Sequence, residues 1–94
     1  MSYTLTRLQV QEYTKWRPVF DELGSVRQSY GCQGGQLFRQ SDKPNEVAIL
    51  FEWNNVENAR RYFESPELRQ AMQRGGVQGR PEISYLGSQE RLSA

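Results

Sequence analysis

The stretch Glu46-Val47-Ala48-Ile49-Leu50-Phe51-Glu52-Trp53 decides the fold. It is the most apolar run in the chain, rich in β-branched and aromatic residues and too short for an ordinary helix. Apolar side chains at both odd and even positions predict a central strand covered on both faces. Just upstream, Ser41-Asp42-Lys43-Pro44-Asn45 has turn chemistry, so residues 35–40 are expected to pair with residues 46–53 as a hairpin. Gly34 and Gly35 open the earlier strand and mark a bulge or a place where another group approaches closely.

Downstream, the period changes. Asn55 is a helix cap, followed by Val56, Ala59, Tyr62 and Phe63 on one helical stripe. Ser65-Pro66-Glu67 restarts the chain as cap, first-turn proline and first-turn acid. That third helix carries Leu68, Ala71 and Met72 and ends at Gly75-Gly76. A loop over Val77-Gln78-Gly79-Arg80-Pro81 leads to a last strand from Glu82 to Leu86.

Working back toward the N-terminus, residues 3–10 read as a strand with Thr6, Leu8 and Val10 on one face. Tyr13, Trp16, Phe20, Leu23, Val26 and Tyr30 then recur at helical spacing. Pro18 falls inside this pattern, and a proline breaks an interior hydrogen bond. The expectation is a short turn over 12–16, a main helix from Arg17, and Gly31 as its C-terminal cap.

The order βαββααβ, folded with right-handed crossovers, gives an α+β domain. It is a ferredoxin-like antiparallel sheet with helices on one face. One domain over residues 1–94 is expected, with a core from about 3 to 88 and a polar tail over 89–94. The uncovered sheet face carries Ala48 and Leu50. In so small a chain an apolar open face calls for a second sheet against it, so a homodimer through the sheet faces is expected.

Composition removes several function classes. The chain has one cysteine, Cys32, and no histidine. An intrachain disulfide, a Cys–His zinc site, a His-ligated haem and an imidazole base are therefore all excluded. Twelve basic residues against eleven acidic give a net charge of +1 with no basic run, which argues against nucleic-acid or membrane-surface partners. No leader-like segment opens the chain, so a cytoplasmic location is expected. Only 36% of residues are hydrophobic, yet 12% are aromatic, a composition that suits a ring-built core or an aromatic pocket. Two other uses of this element order fail on motif. Residues 46–53 lack the aromatic pattern of an RNA-recognition strand, and Gly34-Gly35-Gln36-Leu37-Phe38-Arg39 precedes a strand rather than the helix an acylphosphatase cradle requires.

A set of signals resembles one family. Tyr13-x-x-Trp16-x-Pro18-x-Phe20-Asp21, Gly35-x-Leu37-Phe38-Arg39, Asn45-Glu46-Val47-x-Ile49-Leu50-Phe51-Glu52-Trp53 and Ser65-Pro66-x-Leu68-x-x-Ala71-Met72 are similar to the antibiotic-biosynthesis-monooxygenase-like proteins of the dimeric α+β barrel superfamily. The resemblance implies a barrel of two sheets with a pocket between each sheet and its helices. It also implies oxidoreductase chemistry on aromatic, quinol or polyketide-like metabolites without cofactor or metal. A deprotonated substrate reduces oxygen directly, and the protein supplies a dry pocket and hydrogen bonds to the developing anion. The alternatives are a polyketide-cyclase-like enzyme and a non-catalytic small-molecule-binding or stress-related dimer.

The expected ligand pocket is walled by Leu8, Trp16, Phe20, Phe51, Trp53 and Tyr62, each of which also reads as core. Candidates for chemistry are Asn54, Tyr62 and Arg39. Asn54 offers an amide to an oxyanion, and Tyr62 a phenol in place of the histidine that some relatives use. Arg39 either binds a substrate anion or pairs with Glu46 or Glu52 across the hairpin. Cys32 reads as a small structural residue.

Overall fold

A computed structural model describes residues 1–94. The elements are β1 (Ser2–Val10), α1 (Tyr13–Glu22), α2 (Gly24–Ser29), β2 (Cys32–Gln40), β3 (Lys43–Trp53), α3 (Val56–Phe63), α4 (Pro66–Arg74) and β4 (Val77–Leu86). The four strands form one antiparallel sheet in the order β2-β3-β1-β4, with all four helices on one face. This is the ferredoxin-like α+β arrangement expected from the element order. Residues 87–94 carry no regular element, and no helix is long and apolar enough to cross a membrane.

Strand alternation sorts the side chains. Thr4, Thr6 and Val10 of β1 are buried under the helices, as are Val47, Ile49, Phe51 and Trp53 of β3. The even positions of β3 point the other way. Ala48 and Leu50 are half-buried there, level with Arg7 and Leu5 of β1 and with Phe38 and Gln36 of β2. The central strand is thus covered by helices on one face only, not on both as its composition predicts. Its apolar even positions lie within a face bounded by the exposed Phe38 and Leu86.

The helical caps follow the sequence. The Asn55 side chain accepts from the Asn58 N–H at 2.9 Å, and the Ser65 hydroxyl accepts from the Leu68 N–H at 3.2 Å. Pro66 occupies the first turn of α4, where its missing N–H costs nothing. Beyond α4, Gly76 has φ of 74°, the left-handed geometry that favours glycine at this point. In β2, the register slips between Cys32 and Gly34. A β-carbon on Gly35 would lie 2.0 Å from the Leu50 carbonyl oxygen, so both the bulge and the close approach exist.

Three boundaries depart from the sequence expectation. The first helix begins at Tyr13 and runs through Pro18, and the break comes instead at Leu23, before α2. Pro18 costs one internal bond and about 3 kcal/mol. Continuity through it keeps Tyr13, Trp16 and Phe20 on one stripe, with ring centroids 5.8 and 4.9 Å apart, and burying such rings returns roughly 1.5–3 kcal/mol each. β2 begins at Cys32 rather than at residue 35, because the bulge lets it pair past its glycines. β4 begins at Val77 and contains Pro81, since a register slip opposite Leu8 and an edge position remove the need for the proline N–H.

Candidate functional site

Under the helices the sheet face is filled at one end and open at the other. At the filled end Trp53 is fully buried, and its indole N–H donates to the Thr4 hydroxyl at 2.9 Å. Tyr62 and Phe63 of α3 pack on the Trp53 ring, with centroids 5.4 and 6.0 Å away.

At the other end a cavity of about 300 Å³ lies between β1, β3, β4 and the helices α1, α3 and α4. That volume is on the scale of a small-molecule site. Trp16 and Phe20 form one wall and Leu68, Ala71 and Met72 another; Ile49 and Phe51 form the floor, and Arg80, Pro81 and Ile83 stand on the β4 side. Phe20 and Phe51 lie nearly parallel, 12° apart in plane with centroids at 6.1 Å. The walls hold no histidine, cysteine or carboxylate.

Polar groups in the lining are few. The Thr6 hydroxyl is buried and has no hydrogen-bond partner in the protein. The Tyr62 ring is 2% exposed, and its hydroxyl accepts from Nη1 of Arg27 at 3.5 Å. That leaves the phenolic proton free to point at a ligand. Burial pushes the Tyr62 phenol above the usual tyrosine range against the opposing pull of Arg27, so it remains a donor at neutral pH.

Arg27 is itself buried, at 8% exposure. Its guanidinium stands 4.0 Å from the Phe20 centroid and 5.3 Å from that of Phe51, a cation–π arrangement. Burial also raises the Cys32 thiol, and Arg27 opposes that shift.

Five of the six side chains named from sequence as pocket walls line the cavity: Leu8, Trp16, Phe20, Phe51 and Tyr62. Trp53 does not, because it is sealed behind Tyr62. Of the three candidates for chemistry, only Tyr62 reaches it. The Asn54 amide accepts from Asn58 Nδ2 at 3.1 Å and closes over Gly31, outside the cavity. Arg39 pairs with neither Glu46 nor Glu52. Its register partner is Val47, so it shares the helix-side face, whereas the two glutamates lie on the open one. There it donates from Nε to the Pro44 carbonyl at 2.9 Å and stacks 3.9 Å from the Tyr13 centroid.

Thr6, Arg27 and Arg80 were not singled out by sequence. For two of them the spacing carries a signal. Thr6 sits on the same strand face as Leu8 and Val10, and Arg27 lies four residues after Leu23 and seven after Phe20, on the buried helical stripe. Arg80 has no such signal, because it lies in a segment that reads as loop.

Comparison with known proteins agrees with this architecture. A family model described as antibiotic biosynthesis monooxygenase matches residues 5–74. Among solved structures, SnoaB from Streptomyces nogalater, a cofactor-independent oxygenase, superposes with a TM-score of 0.78 at 18% identity, covering 99% of this chain and 97% of SnoaB. A candidate antibiotic biosynthesis monooxygenase from Caulobacter crescentus gives 0.75 at 20% identity, covering 95% and 90%. Rv0793 from Mycobacterium tuberculosis gives 0.70 at 13% identity, covering 98% of each chain. At these identities the structures establish the fold. No curated protein matches the chain by sequence.

Proposed function

The chain belongs to the antibiotic biosynthesis monooxygenase family, and from that premise we propose that it is a cofactor-independent monooxygenase of a small aromatic, quinol or polyketide-like metabolite. The observation that carries this reading is the cavity, apolar on nearly every side, with Thr6 and Tyr62 among the few residues of its lining that carry a hydroxyl. Trp16, Phe20 and Phe51 pack on one another and offer a flat ring an aromatic wall. A substrate oxygen then meets the Tyr62 proton, with Arg27 polarising the phenol from behind. As the substrate ionises and passes electrons to oxygen, the hydrogen bond from Tyr62 strengthens, and the dry walls keep that bond from being screened. Oxidation of an activated methylene to a carbonyl consumes one O₂ and releases one water, so the substrate supplies every electron. Tyr62 is the residue proposed to touch the reacting anion, Thr6 orients the substrate, and Asn54 and Arg39 have structural roles.

Oxygen uptake with a panel of quinols and anthrones tests this. Uptake is expected above that of heat-inactivated protein, with Tyr62→Phe losing on the order of a hundredfold in turnover, the scale set by removing one oxyanion donor. A panel without uptake, or a Tyr62→Phe protein of undiminished rate, would overturn it. The second reading, a non-catalytic binding dimer, draws on the absence of any histidine or carboxylate from the walls. It predicts ligand-induced thermal stabilisation with no uptake.

We also infer that the chain pairs through its open sheet face. Leu5, Ala48 and Leu50 lie together there beside Phe38, which is 54% exposed, an apolar surface that the chain's own helices do not cover. Sedimentation at micromolar concentration is expected to give a dimer, and Leu50→Arg a monomer. A wild-type monomer would overturn this.

A further inference from the structure

Arg27 has a second face. Nη1 points to Tyr62, but the other donors of the guanidinium have no protein partner. The chain's three ion pairs join Lys15 to Glu12, Arg17 to Asp21 and Arg74 to Glu22, so none reaches Arg27. These free donors are not sealed in the interior but reach solvent-accessible space. The unused donors line a groove of about 630 Å³ between α2 and the edge strand β2, which adjoins the cavity at Phe20, Ile49 and Phe51. Gly24 leaves room over Nη2, since a β-carbon there would sit 3.8 Å from it. Leu37, Phe20, Ile49 and Phe51 give the groove an apolar lining, and the glycine bulge at Gly34 lies on its β2 side.

We propose that this groove is a second ligand site that takes a small organic carboxylate. The carboxylate pairs with the planar fork of Arg27, and the apolar body lies along Leu37 and Phe20. The fork matches two carboxylate oxygens at once, and the low-dielectric walls strengthen the contact. The site adjoins the cavity, with which it shares Phe20, Ile49 and Phe51, and Nη1 of Arg27 reaches the Tyr62 hydroxyl.

The test is an NMR titration of the whole protein with benzoate, following the Arg27 Nε–H and the Gly34 and Gly35 amides. Acetate is the arm that carries the headgroup alone, and benzyl alcohol the arm that carries the ring alone. Benzoate is expected to give saturable shifts at all three positions, at least tenfold tighter than acetate, while benzyl alcohol leaves the Arg27 Nε–H unmoved. Arg27→Gln should abolish the amide shifts. Because that variant removes a buried side chain, Gly24→Gln serves as a second one that keeps Arg27 and crowds Nη2. It should weaken benzoate at least tenfold. An unmoved Arg27 Nε–H, shifts confined to cavity residues such as Met72 and Ile83, or equal affinity in Gly24→Gln would each overturn the proposal. None of these readouts depends on turnover, so failure here is distinguishable from failure of the oxygenase reading.

Discussion

Thr4 and Thr6 are two residues apart on the same face of the same strand, both almost fully buried, and they do opposite things. Thr4 holds the Trp53 indole at 2.9 Å under a closed layer of rings. Thr6 lines an open cavity, and its hydroxyl is buried without a protein partner. The difference is set by what stands opposite. α3 puts Tyr62 and Phe63 over the Thr4 end, whereas residues of α1 and α4 line a cavity over the Thr6 end. One end of the layer spends its aromatic residues on packing, and the other uses them as walls.

The largest break in this contrast should come from Trp53→Ala. Emptying the closed end removes a fully buried indole and is expected to cost about 3–5 kcal/mol in urea unfolding. If Trp53 instead lined the ligand cavity, ligand affinity would fall with little loss of stability. Thr4→Val keeps the shape but strands the indole N–H, at an expected cost of about 1–3 kcal/mol. A neutral result would mean that the N–H finds another acceptor and that the closed end is less closed than its geometry implies.

This contrast was only partly legible in the sequence. The sheet, its hairpin and the caps at Asn55 and Ser65 are written in local chemistry, because a turn, a cap or an alternating strand needs only neighbours in the chain. The pocket is not local. Leu8, Trp16, Phe20, Phe51 and Tyr62 come together because strands pair and helices cross, and the same aromatic spacing describes a wall or a core. Trp53 illustrates the limit, since nothing in residues 46–53 says that α3 closes over it and not over Phe51. Pro18 misled for a related reason. Its local penalty is real, but a tertiary stripe of three rings outweighs it.

Tyr62 stands on the border between the two ends, and pH probes it. Burial holds its phenol above the usual tyrosine range in the folded state. In the unfolded chain it ionises near pH 10. The folded state is therefore favoured fully below that range and loses stability as pH rises through it, because the unfolded state releases its proton first. Tyr62→Phe should flatten the loss of stability between pH 9 and pH 11, on the order of one pH unit either side of that value. Part of the slope will remain, since burial raises Cys32 and Tyr85 as well. Identical slopes in the two proteins would place Tyr62 in contact with solvent, not under the rings.

The smallest effect on stability is the most informative. Thr6→Val keeps the shape of a side chain whose hydroxyl bonds to nothing in the protein, so no donor or acceptor is stranded by the change. Stability should move by less than about 0.5 kcal/mol, or rise. Binding should respond differently. With 1-naphthol as probe, loss of one hydrogen bond inside the cavity predicts roughly three- to tenfold weaker binding. Naphthalene, which has no hydroxyl to lose a partner, should bind both proteins alike. A Thr6→Val protein as destabilised as Thr4→Val would mean that the two threonines do the same structural work, and that the open end is a packing feature. A stable protein with selectively weakened naphthol binding would mean that an unsatisfied hydroxyl is kept, at some cost to the empty protein, because a ligand satisfies it.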